Sequence, residues 1–209
     1  MSTHDPANPT TPIESRRTLR TMLLDARAAL PDRIAHDAAL AHHLAEVLNA
    51  LPVKRLAAYW PTQGEFDALT VLGHWLAADA TRHALLPVVT DKFSPLQFRR
   101  WTPDCEMTPG AYNIPIPRSG EMETPDALLI PCVGFDAQRY RIGYGGGFYD
   151  RTLAALHAAG HRPRTIGVAY EVNRVESIAP QSHDIAMDCI VTERGVHRGP
   201  DYDLARELA

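Results

Sequence analysis

Cysteine is scarce: Cys105, Cys132 and Cys189 are the only three in 209 residues. They are odd in number, far apart and lack a Cys-x-x-Cys pair, which excludes a disulfide framework or a cysteine-bound zinc site as the organising feature. Cys132 and Cys189 sit in apolar strand contexts and read as buried, inert thiols, which weighs against a hydrolase built on a cysteine nucleophile. No run approaches the roughly 20 apolar residues of a membrane-spanning helix. Residues 1–12 are polar, lack the apolar core of a signal peptide and read as a disordered tail. Charge of neither sign prevails, since 21 Lys and Arg stand against 25 Asp and Glu, a net −4. That balance gives no electrostatic ground for general binding to nucleic acid or an anionic membrane. There is no internal repeat. What remains is one ordinary globular domain over residues 13–198 with a C-terminal tail at 199–209. A reducing cytoplasm is its natural setting, and a monomer or weak dimer is expected.

The chain pattern alternates strands with helices. Leu19, Met22, Leu23, Ala26 and Leu30 predict a first helix over residues 13–30. Asp32 is placed to cap a second, reaching about Asn49, with Ile34, Ala38, Ala41, Leu44 and Leu48 facing inward. Strands are expected at residues 55–60, 83–89, 96–101, 127–135, 164–170 and 189–192. Further helices are expected after Asp67 and over residues 148–159, with residues 104–124 mostly loop. The implied fold class is α/β, a single layered domain with a largely parallel central sheet flanked by helices. Ligands of such sheets sit at the carboxyl ends of strands, here after Trp60, Phe135 and Tyr170.

The most informative stretch is Arg141, Ile142, Gly143, Tyr144, Gly145, Gly146, Gly147, Phe148, Tyr149, Asp150, Arg151. Glycines between a strand and a helix serve either a tight turn or a cradle in which bare backbone and a helix N-terminus approach a phosphate. Arg141 can add charge, and Asp150 can hold Mg2+ or favour the helix dipole. Neither of the two common glycine fingerprints for nucleotides matches. Arg16, Arg20 and Arg27 share one side of the first helix; they form a solvated basic face, or Arg16 and Arg20 reach nucleotide phosphates. Trp60 and Glu65 fit a core aromatic and a helix-start charge, or a site for a flat heterocycle with N–H donors. The polar loop from Gln181 to Asp188 could complete a metal site with Asp150. His157 and His161 have metal-ligand spacing but no adjacent acid and read as a frayed helix end.

Residues 130–153, IPCVGFDAQRYRIGYGGGFYDRTL, resemble the signature of the 5-formyltetrahydrofolate cyclo-ligase family, P-x-x-A-F-D-x-x-G-x-R-L-G-x-G-G-G-Y-Y-D-R. The resemblance runs from Arg16 to Glu193. It takes in Arg16 to Arg20, the segment around Glu65, Tyr112 to Pro117, Ile166 to Tyr170, His183 and Asp184 with Asp188, and Thr192 with Glu193. Three positions depart from the pattern: Arg139 stands for a usual Gly, Ile116 for a frequent Glu or Gln, and Asn173 for a usual Gln. The resemblance implies an ATP- and Mg2+-dependent ligase that cyclises 5-formyltetrahydrofolate to 5,10-methenyltetrahydrofolate, with small molecules as its partners. It assigns Arg16, Arg20 and the segment from Arg141 to Tyr149 to ATP, and Asp150 and Asp184 to the metal. It assigns Trp60, Glu65, Tyr112 and Tyr149 to the folate, and catalysis to Arg141 and Asp150. The rival from another class is a noncatalytic folate- or nucleotide-binding regulator on the same fold.

Overall fold

A computed structural model describes residues 12–199, with side chains from residue 16 onward. The tails expected at 1–12 and 199–209 lie outside these residues, apart from Pro12, which opens the first helix, and Gly199. Helices α1 (Pro12–Ala28), α2 (Arg33–Ala50), α3 (Leu69–Ala77) and α4 (Phe148–Ala158) alternate with strands β1 (Arg55–Ala57), β2 (His83–Val88), β3 (Gln97–Trp101), β6 (Ala127–Pro131), β9 (Arg164–Val168), β10 (Cys189–Thr192) and β11 (Gly195–Arg198). These seven strands form one sheet in the order β11-β10-β9-β6-β1-β2-β3. The five central strands are mutually parallel, and the edges β3 and β11 pair antiparallel. The expected fold class is therefore the observed one.

Side-chain alternation sends successive strand residues to opposite faces. Leu56 and Leu129 join Leu40, Leu44 and Leu48 of α2 and Leu72 and Trp75 of α3 on one face. Ala57, Leu128 and Ile130 meet Leu153 of α4 on the other. The α1 helix packs instead on a small cluster in which Leu23 touches Val133, Ile142 and Ile178. No helix among the described residues is long and apolar enough to cross a membrane.

Several local expectations change. Met22 and Ile34, assigned to buried stripes, are exposed; Leu19, Leu23 and Leu24 carry the contact of α1, and Leu40, Leu44, Val47 and Leu48 that of α2. Asp32 does not cap α2 with its side chain, because it takes a left-handed backbone (φ 48°) and offers only its carbonyl. Residues 104–124 are mostly outside regular elements, as expected, but they hold an antiparallel hairpin of β4 (Met107–Pro109) and β5 (Pro115–Pro117) around a 3-10 turn. A second hairpin joins β7 (Gly134–Phe135) to β8 (Arg141–Ile142). The end of α4 is closed rather than frayed. Gly160 turns at φ 81°, its N–H reaches His157 O, and His161 N–H reaches Leu156 O, which satisfies two terminal carbonyls.

Candidate active site

A cleft of about 740 Å³ opens at the carboxyl ends of β1, β2 and β6. It is lined by Arg16 and Arg20 of α1, by Trp60 and Glu65 after β1, and by Tyr112 of the β4–β5 hairpin. The whole run from Arg141 to Asp150 and Asp184 complete the wall. The residues that the family resemblance assigns to ATP, folate and the metal thus face one cavity, although they are spread over most of the chain. A second cavity of about 1030 Å³ lies at the opposite ends of the strands. Its charges largely answer one another, as Arg55 with Asp126 and His83 with Glu123; His157 and the end of the 181–188 loop, Ile185, Ala186 and Asp188, line it instead of the cleft.

One end of the cleft is cationic and rich in bare backbone. The β7–β8 hairpin delivers the chain into the glycine loop and then into the N-terminus of α4. Gly145 (φ 90°) and Gly147 (φ 65°) use a conformation that side chains rarely adopt. A Cβ at Gly145 would lie 3.3 Å from the Arg20 guanidinium, and one at Gly146 would lie 2.9 Å from the Phe148 ring. Arg20 Nε donates to Gly143 O at 2.6 Å. Burial and the neighbouring Arg16 hold the Arg20 guanidinium below its usual range, the mark of adjacent cations short of an anion. Unpaired N–H groups at the start of α4 add to this field.

Two carboxylates border that end, each already holding an arginine. Arg141 bonds Asp150 Oδ1 at 2.7 Å, and Arg16 bonds Asp184 Oδ2 at 3.0 Å. Asp184 Oδ2 also accepts the Gln181 N–H at 2.7 Å. Each carboxylate commits one oxygen and keeps a second. Among the described residues no group of three His, Cys, Asp or Glu could hold a metal. A cation here would need phosphate and water oxygens to complete its shell, and Mg2+ beside phosphates is characteristically held by one or two carboxylates in that way. The donor set fits Mg2+ on those terms.

The other end is aromatic around one buried carboxyl. Glu65 Oε2 accepts the Thr62 N–H at 2.7 Å and the Thr62 hydroxyl at 3.1 Å. Burial pushes the Glu65 carboxyl above its usual range against the pull of Thr62, Tyr144 and Arg27. Burial also raises the Tyr149 phenol, and it lifts the Cys132 thiol to about 12, so this cysteine is inert as expected. Tyr112 (φ 57°) and Asn113 (φ 59°) are consecutive left-handed residues that set the Tyr112 ring edge-on to Phe148 at 5.9 Å. Strain of this kind collects at ligand sites.

Known proteins are consistent with this geometry. A sequence profile of the 5-formyltetrahydrofolate cyclo-ligase family matches residues 12–193. The chain belongs to this family. A 5-formyltetrahydrofolate cyclo-ligase of Mycolicibacterium smegmatis is 30% identical over 196 residues, covering 87% of this chain and 96% of its own. One from Haemophilus influenzae is 28% identical over 185 residues, covering 83% and 95%. The Aquifex aeolicus 5,10-methenyltetrahydrofolate synthetase superposes with a TM-score of 0.71 at 28% identity, covering 93% of this chain and 99% of that one. The Mycoplasma pneumoniae synthetase, at 24% identity and a TM-score of 0.68 over 85% and 98%, shares the fold.

Arg139, which departs from the family pattern, lies in the turn before Arg141. It takes the left-handed backbone (φ 66°) that a glycine would favour. Ile116 lines the cleft and makes its wall less polar. Asn173 is buried and donates to Leu23 O at 2.7 Å, so it docks α1 rather than meeting a ligand. Arg27 is neither solvated nor in the cleft wall but buried beneath it. Sequence reasoning passed over Arg17, Gln63, Gln181 and His183 as ligand contacts, all of which line the cleft. Adjacency to Arg16, Glu65 and Asp184 was the available signal.

Proposed function

We propose that this chain cyclises 5-formyltetrahydrofolate to 5,10-methenyltetrahydrofolate with ATP, releasing ADP and phosphate. The observation that carries the reading is the polarity of the single cleft: arginines, bare backbone and a helix N-terminus at one end, and a buried carboxyl among aromatics at the other. The formyl oxygen is a poor leaving group. Transfer of the γ-phosphoryl group to it makes phosphate the leaving group; N10 then attacks the activated carbon, phosphate departs, and the N10 proton is lost. The protein's task is mostly alignment and charge neutralisation.

Arg16, Arg20 and the backbone from Arg141 to Gly147 bind the phosphates, with Phe148 and Tyr149 closing the loop over the nucleotide. Arg141, freed from Asp150, neutralises charge on the transferring group. Glu65 accepts N–H donors of the pterin edge, while Trp60, Tyr112 and Tyr149 pack on the folate rings. Asp150 and Asp184 hold Mg2+, which supplies charge neutralisation at the phosphates.

The purified chain with 5-formyltetrahydrofolate, ATP and Mg2+ is expected to give the near-ultraviolet absorbance of methenyltetrahydrofolate with stoichiometric ADP. Binding of both ligands without ADP release would favour the noncatalytic reading instead. Asp150→Asn is expected to lower turnover roughly a hundredfold, as loss of one preorganised charge does. Folate affinity measured without ATP should stay unchanged; equal loss of both would sink the metal role of Asp150.

A further inference from the structure

Arg27 closes the basic series of α1, yet it is 3% exposed. Its hydrogen bonds go to neutral oxygens: Tyr144 Oη at 2.7 Å, Gln63 O at 3.0 Å and Cys132 O at 3.5 Å. Its Nε finds no hydrogen-bond partner among the described residues. A buried guanidinium is costly unless something uses its charge and its fork of donors. Each of the three oxygens belongs to a different part of the cleft. Gln63 lies two residues before Glu65, Tyr144 stands inside the glycine loop, and Cys132 follows β6. The nearby Glu65 carboxyl feels both Tyr144 and the Arg27 charge, each of which favours its ionised form.

We propose that Arg27 is a positioning residue that fastens the glycine loop to the Glu65 loop and keeps Glu65 ionised, so that the phosphate end and the heterocycle end of the cleft are held in one register. The assignment rests on the cyclo-ligase reading for the role of Glu65 towards folate. Tyr144 is the link: its hydroxyl accepts from Arg27 at 2.7 Å, and it lies close enough to the Glu65 carboxyl to act on its charge. The groups that face the Glu65 carboxyl are Thr62 on its own loop, Arg27 of α1, Tyr144 of the glycine loop, Tyr149 of α4, Tyr59 at the end of β1 and Cys132 after β6, while Arg33 of α2 meets the backbone oxygens of Gly64 and Glu65. The tyrosines and the thiol are neutral near pH 7, so among these groups Arg27 supplies the positive charge. Burial drives the Glu65 carboxyl upward, and removal of Arg27 leaves that push less opposed. Guanidinium is the fitting cation, because Nη2 meets both Gln63 O and Tyr144 Oη while Nη1 reaches towards Cys132 O, a spread of oxygens that a single ammonium nitrogen does not span.

The test is calorimetric titration with 5-formyltetrahydrofolate alone from about pH 5 to pH 9, and with ADP alone at neutral pH. The parent protein loses folate affinity towards acid as Glu65 takes up a proton. Arg27→Gln and Tyr144→Phe should move that midpoint upward by about half to one pH unit. Arg27→Lys should keep the midpoint but weaken ADP binding roughly threefold or more, since one ammonium nitrogen cannot hold Tyr144, Gln63 and Cys132 together. A merely structural Arg27 would lower stability without moving the midpoint. Unshifted midpoints in Arg27→Gln and Tyr144→Phe overturn the inference; if Arg27→Gln does not fold, Tyr144→Phe and Arg27→Lys decide it. Glu65→Gln should flatten the profile. A parental profile in Glu65→Gln overturns the folate role of Glu65 instead, and the inference then stands or falls on ADP binding by Arg27→Lys.

Discussion

Arg139 shows how a single residue can be strained and useful together. Its φ of 66° costs roughly 1–2 kcal/mol for a residue with a Cβ. Its Nε donates to Met187 O at 2.9 Å, and its carbonyl accepts the Met187 N–H at 3.0 Å, which pins the loop carrying Asp184 to the β7–β8 hairpin. The side-chain bond is worth about 1 kcal/mol, so strain and bond nearly cancel. Arg139→Gly should therefore leave stability almost unchanged, whereas Arg139→Ala keeps the strain, loses the bond and should cost about 1 kcal/mol. Urea denaturation of the two variants against the parent measures the difference, and equal destabilisation would refute the strain account. The sequence marks this position as unusual for its family pattern, but not the conformation that results. Arg27 teaches the same lesson. Its spacing from Arg16 and Arg20 correctly places all three on one side of α1. Spacing says nothing of what covers the last turns, and there the glycine loop and the Glu65 loop close over it.

Among the elements, α1 carries Arg16 and Arg20, the arginines proposed for the nucleotide, on a footing apart from the main sheet. It rests on a small satellite cluster, while α2, α3 and α4 press on the main sheet. The closest approach is at Gly134, where a Cβ would lie 2.5 Å from Leu23 Cδ1 and 3.0 Å from Asn173 O. Gly134→Ala must push α1 outward, at about 1–3 kcal/mol for overpacking. The expected result is a several-fold weaker ADP affinity with folate affinity retained, read by calorimetry. In the parent, amides of α1 should exchange faster than those of β1, β6 and β9, and slow when ADP is added, since small contact sets open first. Equal exchange in α1 and the central strands would contradict this. Long periodic elements were legible in the sequence: α1, α2, α4 and the central strands appear close to where apolar spacing puts them. The short hairpins β4–β5 and β7–β8 and the edge strand β11 were not foreseen. Two to four residues cannot establish a period, and Pro109, Pro115 and Pro117 read as loop punctuation although edge hairpins tolerate them.

At the scale of the whole molecule, acid acts on the fold and on the site in separate windows. Burial opposes ionisation of Glu123, Asp126 and Glu171, but their partners prevail: His83 and Arg100 for Glu123, Arg55 for Asp126, and His197, Thr192 and Arg174 for Glu171. Each carboxyl is thereby held below its usual range. A carboxylate with a depressed folded-state pKa contributes stability above the unfolded value, about pH 4, and loses it as pH falls through the folded value. Glu65 has the opposite sign. Its raised carboxyl makes the protonated folded state the easier one, so acidification relieves the fold there while removing the charge proposed to hold the pterin. Folate affinity should therefore decline first, above about pH 4, with the sheet intact, and unfolding should follow only below it. Circular dichroism and folate titration across the same buffers test the order: coincident midpoints would mean that acid acts on the fold alone. Separate midpoints would show that the cleft keeps a strained carboxyl inside a fold stable enough to carry it, as the placement of Glu65 among Thr62, Tyr144 and Arg27 requires.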